Sequence, residues 1–230
     1  MRMRLLSLAA LLLAGLLQTA AAQVVTTDPV FPTEDGPVTV YFHAAEGTGG
    51  LAGYTGDVYA HTGVITNRST SPSDWKYVKT NWGQNTPETK LERTAPDEYR
   101  LSIPDLRAYY GVPEGEDILR LAFVFRSVDS GREGKDTGGA DIFVDVAQDD
   151  LNVAFVAPSV TPLDPFLAER DTTVRVVAVG RASGAPLAGL RLVVNGTEVA
   201  QAANDTLAYD LALDAPGRVD VKVYVDNVVG

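Results

Sequence analysis

Five aromatic side chains crowd one stretch of this chain: Tyr54, Tyr59, Trp75, Tyr77 and Trp82 fall within 29 residues, and both tryptophans of the protein are among them. Trp75 and Trp82 flank Lys76-Tyr77-Val78-Lys79, with Ser71-Pro72-Ser73-Asp74 before and Gly83-Gln84-Asn85 after. A sugar ring offers an apolar face of axial C–H bonds that stacks on an indole. Its hydroxyls want the donors and acceptors of Asn, Gln, Asp and Lys. Large aromatics with a polar rim are what such a face requires. The same indoles could instead anchor a sandwich core. Exposure separates the two readings.

Other chemistry finds less support. No G-x-S-x-G elbow, H-E-x-x-H, P-loop or G-x-G-x-x-G fingerprint occurs. A serine nucleophile would need His43 or His61 as base, and His43 ends an apolar strand, which suits a structural role. None of the 30 acids is singled out as a glycosidase carboxylate with a raised pKa. The loop from Asp129 to Asp141 misses the D-x-[DN]-x-[DN]-G spacing of a calcium loop, and Arg132 and Lys135 oppose a cation. With no Cys and 2 His, no thiol chemistry or multi-histidine metal centre is available. No catalytic residue, metal or cofactor is assigned.

The elements that must position the aromatics are strands. Val38 to Phe42, Asp57 to Ala60 and Glu98 to Ile103 are β-branched, aromatic or alternating. Ile118 to Phe125 mixes alternation with an apolar run, as a strand covered on both faces would. Asp141 to Val146 follows a glycine-rich loop. Pro104 to Tyr110 is the only plausible helical stretch, and it reads more like a crossover turn. A second series runs through Leu151 to Phe155, Thr172 to Val179, Leu190 to Val194, Thr197 to Ala200, Leu207 to Leu213 and Arg218 to Val225. Asn195-Gly196 between two β-rich runs predicts a tight hairpin, since both turn positions need φ > 0. Turn signals at such spacing indicate antiparallel sandwiches. The expected fold is all-β: two consecutive immunoglobulin-like β-sandwich modules, residues 23–148 and 149–230, the second ending where a further domain would follow.

Residues 1–22 read as a cleaved signal peptide: Arg2 and Arg4, an apolar Leu5 to Leu17, then Ala20-Ala21-Ala22. That apolar run is short of the ~20 residues of a membrane span. Its removal leaves 208 of 230 residues and takes the formal charge from −11 to −13. An acidic chain of this kind repels nucleic acid and anionic lipid, so neither is an expected partner. The expected location is outside the cytoplasm: secreted, cell-surface or periplasmic.

Gly56-Asp-Val-Tyr-Ala-His-Thr-Gly-Val64, Trp75-Lys-Tyr-Val78, Asn81-Trp-Gly83, Lys90-Leu-Glu-Arg93 and Leu121-Ala-Phe-Val-Phe-Arg126 resemble the N-terminal β-sandwich of secreted α-amylase family proteins from the Bacteroidetes and their relatives. Val25 to Pro32 and Val38 to Phe42 fit the same module. The unit from Leu151 is similar to the immunoglobulin-like domain that precedes the catalytic barrel in that family. The Val58-Tyr-Ala-His61 and Trp75 pattern also resembles small starch-binding modules, where a histidine and two tryptophans form an α-glucan platform. This resemblance implies His61, Trp75 and Trp82 as carbohydrate-binding residues, with Tyr59 and Tyr77 in support. It implies α-glucan and a catalytic barrel absent from this chain as partners. The barrel's catalytic motifs are missing, so hydrolysis of α-1,4-glucosidic bonds falls to no residue here. The competing expectation is a structural or adhesive extracellular β-sandwich protein with no sugar ligand.

Overall fold

The structure, a computed structural model, describes residues 23–148, 151–158 and 166–229. The expected signal peptide lies outside them, as do Asp149 and Asp150, the first two residues of the expected second module. Strands β1 (Val25–Asp28), β2 (Val38–His43), β3 (Val58–Thr66), β4 (Glu92–Ala95) and β5 (Glu98–Ile103) are followed by the helix α1 (Leu106–Tyr110) and strands β6 (Ile118–Ser127), β7 (Glu133–Gly134) and β8 (Ile142–Asp145). One sheet runs β1-β2-β5-β4, and a second runs β3-β6-β7 with β8 also on β6. All pairings are antiparallel.

Alternation explains the core between these sheets. Val38, Val40 and Phe42 on β2 are buried, and Tyr99, Leu101 and Ile103 face the same way on β5. β6 meets them with Leu121, Phe123 and Phe125, and Phe125 stacks on Phe42 at 4.1 Å between ring centroids. As expected for a strand covered on both faces, β6 is buried along most of its length. The crossover is a single helical turn: Asp105 Oδ1 accepts from Ala108 N at 2.7 Å, and Gly111 ends it in the left-handed region.

The later strands are β9 (Leu151–Ala157), β10 (Thr172–Ala182), β11 (Leu187–Val194), β12 (Thr197–Ala202), β13 (Thr206–Leu213) and β14 (Val221–Asn227). They form two antiparallel sheets, β13-β10-β9 and β12-β11-β14. Val176, Leu190, Leu192 and Leu207 are the buried centre of their core. Asn195 (φ 49°) and Gly196 (φ 83°) both take positive φ in the β11–β12 hairpin, as their pairing predicts. The last strand begins at Val221 rather than Arg218. The chain is thus an all-β protein of paired antiparallel sheets.

Candidate functional site

On β3, Val58, Ala60 and Val64 point into the core, so Tyr59, His61 and Gly63 point away from it. A loop from Asn67 to Lys90 lies over this outer face. Val64 N donates to the Lys76 carbonyl at 3.0 Å and Lys76 N returns to Val64 at 2.7 Å, while Lys79 N donates to the Thr62 carbonyl at 2.9 Å. This approach needs glycine at 63, because a Cβ there would stand 2.9 Å from the Lys76 carbonyl oxygen. The strand therefore extends to Thr66, beyond the Ala60 that β-propensity alone marks.

Side chains fix the loop further. Asp74 accepts from Thr70 N at 2.9 Å and pairs with Lys76 Nζ at 2.8 Å, and these contacts, Lys76 first, hold its carboxyl down to about 2. Tyr77 donates its phenol to Glu116 Oε2 at 2.8 Å. The buried Glu116 also accepts from Thr66 Oγ1 at 2.6 Å and meets Arg68 at 3.3 Å. These donors, led by Thr66, keep the Glu116 carboxyl below the usual range.

The loop brings three of the five expected residues together. The His61 ring lies 5.8 Å from Trp75, 28° from parallel, and 5.2 Å from Trp82 at 79°, edge to face. Trp82 is 49% exposed, whereas Trp75 is half-buried with its edge against Phe143 of β8, 6.4 Å away. The two indole planes must therefore differ by at least 51°, the gap between 79° and 28°. They make a corner, not a flat shelf. A groove of about 410 Å³ runs beside it, lined by His61, Val78, Lys79, Thr80, Asn81, Trp82 and Gln84. Burial first, and then the Arg126 guanidinium, hold the His61 imidazole below the ordinary histidine range, with Asp141 opposing.

Tyr59 and Tyr77 do not join the corner. Tyr59 is 9% exposed, its ring beneath the Arg126 guanidinium at 5.6 Å. Tyr77 turns to Glu116 and packs on the core. His43 is structural, held between Thr26 Oγ1 at 3.0 Å and Glu98 at 2.7 Å. In the glycine-rich loop Asp129 Oδ1 accepts from Ser127 Oγ at 2.5 Å and from Gly131 N at 3.1 Å. Among the described residues, no cluster of three His, Cys, Asp or Glu could hold a metal, and no helix is long and apolar enough to cross a membrane. Sequence reasoning missed Phe143 and Arg126. A charge closing the apolar run Leu121 to Phe125 was the available signal for the second.

No family profile and no curated protein matches the chain. Among solved structures it is similar to the fibronectin(III)-like modules of Clostridium thermocellum CbhA, at 14% identity and a TM-score of 0.27, over 89% of this chain and 86% of that one.

Proposed function

We propose that residues 23–148 form a carbohydrate-binding module that holds starch-like α-glucan on the Trp75–His61–Trp82 corner. One observation carries this reading: an exposed indole and a half-buried one share a histidine, and that histidine and the exposed Trp82 line a groove rimmed by Lys79, Asn81 and Gln84. Indole faces supply apolar area and the rim supplies hydroxyl partners. The angle between the indoles favours a curved chain. Successive rings of an α-1,4-glucan turn relative to one another, whereas a flat β-1,4 ribbon calls for coplanar aromatics. Tyr59 stands behind the site in support, and Tyr77 belongs to the loop's anchorage. In this reading residues 149–230 are an immunoglobulin-like spacer, and the chain is the exported, non-catalytic N-terminal region of an α-amylase-type glycoside hydrolase. Its work would be to raise the local concentration of long substrate near a catalytic barrel.

The test is affinity electrophoresis of the chain in gels containing soluble starch, glycogen or a β-glucan, with Trp75→Ala and Trp82→Ala beside the wild type. Retardation by the α-glucans alone, lost in both variants, is the expected result. A folded wild type that runs freely in every gel would leave a structural or adhesive sandwich protein instead.

A further inference from the structure

Arg126, on the outer face of β6, is 0% exposed, and no carboxylate pairs with it among the described residues. Its guanidinium donates only to neutral oxygens: Asn85 Oδ1 at 2.7 Å, the Gln84 carbonyl, Ser130 Oγ at 3.3 Å and the Ser127 carbonyl at 3.3 Å. Its Nε–H has no partner. Burying a charge without a counter-charge is costly, and an apolar side chain of similar volume would fill the place more cheaply. Stability of the sheet does not account for it. What the charge does accomplish is local. Arginine stays protonated and presents a planar fork of donors, here aimed at the turn that carries Trp82.

That turn has little else to hold it. Gln84 N donates to the Asn81 carbonyl at 3.0 Å and Asn81 N to Gln84 Oε1 at 3.2 Å, closing the loop on itself with Trp82 at its tip. Asn85, held by Arg126, then donates through Nδ2 to the Val128 carbonyl at 3.0 Å. Arg126 thereby ties the turn before Asn85 to the turn after β6, with the Tyr59 ring closing its other face at 5.6 Å.

We propose that Arg126 is the positioning residue of the site: its fork pins Gln84 and Asn85 to β6 and so sets the angle at which Trp82 meets His61. For its ligand the inference rests on the α-glucan reading above. The charged groups near His61 are Arg126 from β6, Asp141 ahead of β8 and Lys79 from the covering loop, so Arg126 also bears on the imidazole's titration.

The experiment compares Arg126→Met, which keeps the stem, and Arg126→Lys, which keeps the charge without the fork, in the full chain. Three quantities are read: starch retardation, iodide quenching of Trp82 in a Trp75→Phe background, and the His61 titration by NMR, assigned with His43→Gln. Loss of hydrogen bonds to a charged group predicts affinity weakened about tenfold or more in both variants. Quenching should rise in both, and the His61 midpoint should rise in Arg126→Met while staying near wild type in Arg126→Lys. Wild-type binding and quenching in both variants would overturn the proposal. If Arg126→Met does not fold, Asn85→Ala removes one acceptor from outside, and unchanged quenching there overturns it equally. A wild type that starch does not retard sinks the glucan reading alone, because quenching and titration still decide the role of Arg126.

Discussion

Tyr77 and Glu116, 39 residues apart, meet at 2.8 Å where the aromatic-bearing loop crosses the end of β3. The phenol donates and the carboxylate accepts, and Thr66 completes the knot from the strand beneath. Trp75 sits two residues before this anchor, so its placement depends on a buried charge that does not line the groove.

Glu116→Gln should therefore loosen the loop without touching the indoles. The sign follows from the depressed carboxyl: its stabilising contribution is present above the ordinary glutamate value and lost as pH falls through the folded-state value. Thermal unfolding followed between about pH 3 and pH 7 is expected to show a midpoint several degrees lower in the variant near neutrality, converging with wild type at the acid end. A constant offset across that range would deny Glu116 its charged role.

Much of the fold is legible in the residues, and the reason is periodicity. β2 and β5 alternate cleanly, and Asn195-Gly196 states its own turn. β3 is longer than its β-branched stretch because Gly63 is in the strand to make room for the covering loop, a tertiary reason that local propensity does not carry. In the same way His61, Trp75 and Trp82 are visible as residue types, and their meeting is a product of the loop's docking. Arg126 and Phe143 come from strands far away in sequence, and no spacing rule links them to the tryptophans. Tyr59 and Tyr77, chosen as aromatic neighbours, are taken up elsewhere: Tyr59 shares the outer face of β3 with His61 but lies under Arg126, and Tyr77 follows the pull of Glu116.

Gly63→Ala tests that docking. The added methyl would meet the Lys76 carbonyl at 2.9 Å and Val78 Cγ2 at 3.1 Å, so backbone must move. Overpacking of this kind costs about 1–3 kcal/mol. Denaturant unfolding should report that loss, and starch retardation should weaken with it even though no groove side chain has changed. A variant as stable as wild type would mean that the loop rides higher on β3 than the structure places it.

The two tryptophans should separate stability from binding. Trp82 is half exposed at a loop tip, and truncating it to alanine is expected to change stability by no more than ~0.5 kcal/mol. Trp75, packed on His61 and Phe143, should cost about 1–3 kcal/mol when truncated. Both should lose starch retardation. Urea melts and gels of the same preparations make the comparison. A Trp82→Ala variant that keeps full retardation would remove the exposed indole from the site.

His61 sets the pH dependence of the corner. Stacking on Trp75 favours an imidazolium through the ring's quadrupole. Burial and the Arg126 charge oppose it, and the balance leaves the imidazole below its ordinary value of about 6.5. A depressed folded-state value means the unfolded chain takes up the proton first. The stability His61 provides is therefore complete above the unfolded value and is lost as pH falls through the folded one. The indoles report protonation of the folded state, since an imidazolium stacked on Trp75 and edge-to-face with Trp82 quenches indole emission. Followed from about pH 7 to pH 4 in wild type, unfolding midpoints should begin to fall near the ordinary value of about 6.5. Tryptophan fluorescence should fall later, as pH drops through the lower folded-state value. His61→Phe keeps a ring between the indoles and should flatten both curves in the upper part of that range. A slope that survives in His61→Phe, or an NMR midpoint for His61 at or above the ordinary value, would mean that the corner is wetter and less closely packed than its geometry indicates.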